Sequence, residues 1–206
     1  MLRRTVLLLA IVAATTHLAS QPAGSFKDNG SVWRFLPVSY CINTAGLPLG
    51  PDKQPLLTED DFVQIVSWAF QKWEDLPESS IRFTYAGLCD NVAGRQDKVN
   101  AIGWRNLGRL PAIGYAIRNE SDGKYLRGGA SYEKLEADIV LNSRVDFWDD
   151  LDYYLATILP HTVLHEVGHF IGLAHSEEKC TVMTEEDVYP VELCQDDIDG
   201  AARLYP

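Results

Sequence analysis

Residues 165–175 read His-Glu-Val-Gly-His-Phe-Ile-Gly-Leu-Ala-His, and this stretch decides the fold. Helix positions four apart lie one turn apart on the same face, so His165 and His169 direct both imidazoles to one point. Glu166 stands beside that point without sharing it. Gly172 is free to take a positive φ and end the helix, which turns His175 back toward the same place. Three neutral imidazoles make an open zinc site whose fourth position is left for water. A bare His-Glu-x-x-His arises by chance. Five fixed residues in eleven, with glycine where the helix must break, do not come easily from an ordinary buried helix.

The chemistry follows from the residue types. Zinc held by neutral ligands keeps its positive charge, lowers the pKa of water and polarises a carbonyl. Glu166 is placed to carry a proton from that water to a leaving amine. The reaction class is amide hydrolysis without a covalent intermediate.

Two further stretches narrow the reading. Met183 sits in Cys180-Thr-Val-Met-Thr184, eight positions beyond His175, and Ser176 follows that third histidine. The chain closes with Leu-Cys-Gln-Asp-Asp-Ile-Asp-Gly-Ala-Ala-Arg-Leu-Tyr over residues 193–205. With the extended histidine motif, these resemble the metzincin zinc metallopeptidases, and specifically the matrixin-like, matrix-metalloproteinase-type catalytic domain. The resemblance implies an α+β fold: a mixed five-stranded twisted sheet with about three helices. It places a zinc cleft between a larger upper and a small lower subdomain. It implies Met183 as an apolar floor under the ligand rings, and protein or peptide as substrate.

The chain departs from that family in three places. Of its five histidines, His17 lies near the N-terminus and three are the candidate ligands, leaving His161. The histidine-rich structural zinc site of vertebrate matrixins cannot be built from it. A turn's rise of about 5.4 Å carries His161 away from the metal, so it is expected beside the site and not as a fourth ligand. The family's Pro-x-Tyr wall after the methionine is replaced by Thr184-Glu-Glu-Asp-Val-Tyr-Pro190, where Tyr189 and Pro190 are the altered counterpart. No cysteine precedes Cys41, so latency through a thiol on zinc is not expected. An idle tail is preferred to Asp28 as a cover for the metal.

Composition bounds the rest. The 206 residues, 46% hydrophobic, suffice for one domain with a real core. Residues 1–20 read as a signal peptide: Arg3 and Arg4, then an apolar run from Val6 to Ala14 that is too short to span a membrane. Residues 21–31 read as a flexible extended segment and 32–206 as the catalytic domain. The whole-chain charge is −11, and removing the leader takes away two arginines and no acid. Such a chain is not expected to seek nucleic acid or anionic lipid. A secreted monomer is the reading. Asp146, Asp149, Asp150 and Asp152 read first as a solvated loop leading into a helix and second as a calcium site. Four cysteines after an export signal suggest two disulfides with three pairings open; Cys41–Cys89 and Cys180–Cys194 are favoured because each closes a local unit.

Along the chain, Val38–Asn43, Ile81–Tyr85, Asn100–Trp104, Ile113–Ile117 and Ala137–Leu141 read as strands, with a polar loop over Gly87–Lys98 and a turn at Gly128-Gly129. Thr58 and Asp61 form a capping box, and Phe62, Ile65, Val66, Ala69, Phe70 and Trp73 recur at helical spacing to about Leu76. The metal helix is expected from near Ile158 with Pro160 in its first turn, and the last helix from after Cys194 to about Tyr205. Ile113–Ile117, between Pro111 and the polar run from Arg118 to Lys124, has the marks of an edge strand. The resemblance places it above the zinc, with a pocket walled by the helix near Leu164 and by residues 184–193. The competing reading is a zinc-binding relic that acts as an inhibitory or binding module. The presence of Glu166 argues against it, because a pure binding site has no use for that carboxylate.

Overall fold

The capping box forms as the sequence requires. Thr58 Oγ1 accepts from the Asp61 N–H and the Asp61 carboxylate accepts from the Thr58 N–H, opening α1 (Glu59–Glu74). Its buried face is Phe62, Val66, Ala69, Phe70 and Trp73. Phe70 stacks on Tyr40 with ring centroids 3.9 Å apart, which seats the helix on the sheet. The computed structural model describes residues 25–108, 114–120, 132–145 and 150–206. Residues 1–24, Ile113 and the Gly128-Gly129 pair expected to turn lie outside the described residues.

The sheet is built from β3 (Val38–Asn43), β4 (Phe83–Leu88), β5 (Ala101–Arg105), β6 (Gly114–Glu120) and β7 (Tyr132–Asn142). In the order β4-β3-β5-β7 the strands are parallel; β6 runs antiparallel on the far side of β7 and pairs with β7 alone among the described strands. These five main strands, with the two-residue Ser31–Val32 strand as a sixth beside β7, and the helices make the expected mixed α+β architecture. One face, with Val38, Tyr40, Ile42, Ile102 and Ile139, packs against the helices in the main core. The other face carries a small second core of Cys41, Ala93, Ala101 and Val140.

Strand boundaries differ from expectation in β4, β6 and β7. β6 runs on to Glu120, into the polar run read as its boundary, because Arg118 to Glu120 still pair with β7. β4 begins at Phe83 and not at Ile81, because the Ser80 N–H is taken by the Tyr205 carbonyl and pairing with β3 starts at Val38↔Phe83. It runs through Gly87, whose φ of +94° accommodates a register shift where a loop was expected. β7 is far longer than Ala137–Leu141. Its polar start hides buried acids: Asp138 accepts from the Ala101, Gly94 and Arg95 N–H groups, and Glu136 from those of Asp97 and Lys98. Those carboxylates, with the Cys41–Cys89 disulfide, hold the 89–99 loop onto the sheet.

The second long helical run starts earlier than Ile158. α2 (Leu151–Tyr153) leads through a π-helical turn, Tyr154–Ile158, into α3 (Leu159–Ile171). Pro160 explains the wide turn. It lacks an N–H and its ring crowds the carbonyl four residues back, and a π turn lets the helix pass instead of breaking. Asp150 caps the run by accepting from the Tyr153 N–H. Asp146 and Asp149 lie outside the described residues. α3 ends at Gly172 with φ +120°, where a Cβ would strike the Ser31 carbonyl.

Residues from Ser25 onward are extended, as read, and are tied down. β1 (Lys27–Asp28) pairs antiparallel with β8 (Leu173–Ala174), and β2 (Ser31–Val32) pairs parallel with the start of β7. Asp28 accepts from the Gly30 N–H. α4 (Gln195–Leu204) closes the chain, its N–H end capped by Asp197 accepting from Cys194 N–H. Both disulfides are Cys41–Cys89 and Cys180–Cys194, the favoured pairing. No helix among the described residues is long and apolar enough to cross a membrane.

Candidate metal centre

α3 and the Gly172 turn bring His165, His169 and His175 together. Their Nε2 atoms form a triangle with sides of 3.1, 3.2 and 3.0 Å. Each opposite nitrogen faces an acceptor: His165 Nδ1 meets the Val182 carbonyl at 2.6 Å, His169 Nδ1 the Leu173 carbonyl at 2.9 Å, and His175 Nδ1 the Glu185 carboxylate at 2.8 Å. An acceptor at Nδ1 places the ring proton there and the lone pair on Nε2. Three lone pairs therefore converge on one point, which is unfavourable unless a cation sits among them. An ion about 2.0–2.1 Å from three tetrahedral nitrogens spaces them by about 3.3–3.4 Å, so this slightly tighter triangle fits zinc. Burial, with its neighbouring imidazoles, pushes His165 down to about 3, so that ring stays neutral and able to ligate. Among the described residues no other group of three or more His, Cys, Asp or Glu side chains is placed to share an ion.

Glu166 lies in the same wall. Its carboxylate accepts from the Ala116 N–H of β6, and Oε2 is buried with no protein hydrogen-bond partner. Burial pushes its pKa up to about 8. A buried acceptor without a donor, next to three converging imidazoles, is the arrangement that a polarised water or substrate would complete.

Contacts around these residues fix the ligands. Asp197 accepts from Thr181 Oγ1 and from the Val182 N–H, and Val182 in turn holds His165. Asp196 accepts from Ser176 Oγ, beside His175, and from the Phe26 N–H. The carbonyl end of α3 is closed by Lys134 Nζ and Asn29 on His169 O, by Trp33 Nε1 on Phe170 O and by Tyr205 Oη on Ile171 O. Asp196 and Asp197, in the first turn of α4, hold residues 176 and 181–182 through these bonds, a role that no local spacing signals. Lys134 and Asn29 carry no local signal of their roles, since their partners are distant in the chain.

His161 is buried beside the site, its Nδ1 2.7 Å from the Pro190 carbonyl and its ring 5.9 Å from His165. It is outside the ligand triangle. The cleft against Glu166 has a volume of about 180 Å³ and is lined by Gly114, His161, Thr162, Tyr189 and the Glu185–Asp187 segment. Tyr189 meets His161 edge to face at 5.5 Å, so it forms the expected wall. Leu164 does not: it is fully buried in the core, where its carbonyl accepts from Trp73 Nε1. The α3 residues that line the cleft are His161, Thr162, His165 and Glu166. A larger cavity of about 420 Å³ lies elsewhere, near Trp33, Val38 and Asn100, and contains no histidine.

The fold and the three-histidine arrangement are metzincin-like. Residues 112–206 match the family model described as Matrixin, and the chain is matrixin-like over that span. No curated protein matches the sequence. Among solved structures, a chain of the one titled "GM1 bound form of the ECX AB5 holotoxin" aligns with TM-score 0.51 and 13% identity, covering 88% of this chain and 86% of that one. At that identity the likeness is one of fold.

Proposed function

We propose that this protein is a secreted zinc endopeptidase, with His165, His169 and His175 holding the ion and Glu166 moving the proton. Residues 1–20 would be its export leader and 32–206 its catalytic domain. The observation that carries the reading is the convergence of three ring lone pairs beside the partnerless Oε2 of Glu166. Zinc bound there would supply a Lewis acid that polarises a peptide carbonyl and eases deprotonation of water. Glu166 takes the proton from the attacking water and returns it to the leaving amine. Burial raises its basicity, and a cation at the histidines acts in the opposite direction, which together suit a general base near neutral pH. The Ala116 N–H orients the carboxylate, and the outer edge of β6 is where an extended peptide would add as a further strand. Two disulfides suit an oxidising compartment.

The test is to purify the disulfide-bonded protein, measure its metal content and follow casein cleavage with and without a chelator. About one zinc per chain and cleavage abolished by the chelator are expected. Bound zinc without cleavage would support the binding-module reading instead, and a protein that takes up no zinc would end both.

A further inference from the structure

The three candidate ligands are not held alike. His165 and His169 each direct Nδ1 to a neutral backbone carbonyl, from Val182 and Leu173. His175 alone directs Nδ1 to a carboxylate, Glu185 Oε1, at 2.8 Å. His175 is also the one ligand outside α3, set on the chain after Gly172, and its side chain is 41% exposed. Its ring is not carried on a helix.

Glu185 is well placed to supply the hold that a helix does not. Its side chain is 74% exposed, but its backbone is fixed on both sides. Thr184 is buried and bridges to Ser176 in parallel register, with the Ser176 N–H donating to the Met183 carbonyl. The Glu186 N–H donates to Thr184 Oγ1. In that parallel register Met183 lies opposite His175, and the Glu185 side chain reaches back to the His175 ring. The neighbouring acid, Glu186, is taken by Lys179 at 3.2 Å, so the two carboxylates have separate partners.

We infer that Glu185 is a positioning residue for the metal: through its hydrogen bond to His175 Nδ1 it fixes the ring and raises the donor strength of Nε2. This rests on the three histidines being metal ligands, as proposed above. A carboxylate behind a ligating imidazole fixes its tautomer and increases its basicity, and removing such a partner commonly costs about 10- to 100-fold in metal affinity. Exposure and salt screening put the effect here near the lower figure. The contact also places the third ligand under the control of the loop that lines the cleft.

The experiment is zinc affinity by chelator competition for the full chain and for Glu185→Ala, Glu185→Gln, Glu185→Asp and Glu186→Gln, at low and high salt. Cobalt absorption of each variant reports ligand geometry. Thermal melting of the metal-free proteins checks that folding is equal. Glu185→Ala should lose about tenfold in affinity and change the cobalt spectrum. Glu185→Gln, which keeps an acceptor but not the charge, should fall between Ala and wild type and lose part of the salt dependence. Affinity of Glu185→Ala within twofold of wild type would overturn the inference, as would an equal loss in Glu186→Gln, which would mark a general field effect. A wild-type protein that binds no zinc would remove the parent reading and this one together; a wild type that binds tightly with Glu185→Ala unchanged removes this one alone.

Discussion

Gly168 lies directly over the sulfur of Met183: a Cβ at position 168 would overlap Met183 Sδ and press on Trp73 Cζ2. The glycine inside His-Glu-Val-Gly-His is therefore a packing requirement of the floor beneath the ligands. It joins the metal helix, the methionine turn and α1 at one point.

Gly168→Ala should destabilise the protein despite the better helix propensity of alanine. Overpacking a filled core costs about 1–3 kcal/mol, against about 1 kcal/mol gained from replacing a helical glycine. Denaturant unfolding decides, since a net gain in stability would show that the helix and Met183 are not in close contact. In a Met183→Ala background, itself destabilised by the cavity, the same substitution should cost less.

The sequence made the local half of this centre readable. The Thr58–Asp61 box, the spacing of His165 and His169 and the break at Gly172 depend on residues a few positions apart, and each is found where expected. What it concealed is non-local. The fixing of residues 25–32 depends on β7 and β8, and the polar run Lys134-Leu-Glu-Ala-Asp138 hides a strand because its acids are satisfied by amides of a loop some 40 residues away. The Gly168–Met183 contact and the Glu185–His175 pair need the path of the 176–187 loop, which no periodicity encodes.

Glu166→Ala should retain zinc and lose about a hundred- to ten-thousand-fold in activity, because its proposed work is proton transfer and not ligation. His175→Ala should lose metal affinity and activity together. Metal content and casein turnover measured on the same preparations separate the two, and a Glu166→Ala enzyme within severalfold of wild type would refute the assigned mechanism.

Asp138 gives a pH signature remote from the metal. Burial pushes it up to about 6, against the pull of the N–H bonds from Ala101, Gly94 and Arg95, and Glu136 adds to the rise. The folded chain thus holds this proton more tightly than the unfolded chain, where the group titrates near 3.8. Its contribution to stability is full below that value and is lost as pH rises through about 6. The amide resonances of Gly94, Arg95 and Ala101 should shift with a midpoint near 6. A midpoint at 4 or below would mean that the three N–H bonds outweigh burial.

The Cys180–Cys194 disulfide, with a sequence separation of 14, ties the Thr181–Met183 turn to the start of α4. Replacing both cysteines by serine should cost roughly 3 kcal/mol by the chain-entropy model. It should also weaken zinc binding, because the Asp197–Val182–His165 chain of contacts is anchored at that helix start. Unfolding and chelator competition measure the two effects. Lost stability with zinc affinity unchanged would show that the bond serves the fold alone.

Substrate choice should be set just past the scissile bond. A peptide added to the outer edge of β6 would pass Glu166 and send one side chain into the cleft between α3 and the 184–190 loop. That cleft is walled by the rings of His161 and Tyr189, and His161 is held neutral because burial lowers its pKa. At about 180 Å³ it takes a side chain of moderate size. Its mouth carries Glu185, Glu186 and Asp187, and their charge repels acidic side chains. The expected preference directly after the cleaved bond is an apolar residue, with aspartate and glutamate disfavoured. Cleavage profiling on a peptide mixture reads this directly. A flat profile at that position, or a preference for acidic residues there, would mean that the cleft between His161 and Tyr189 does not select the substrate. Tyr189→Ala, which opens one wall, should broaden the preference toward larger apolar side chains while zinc content stays unchanged.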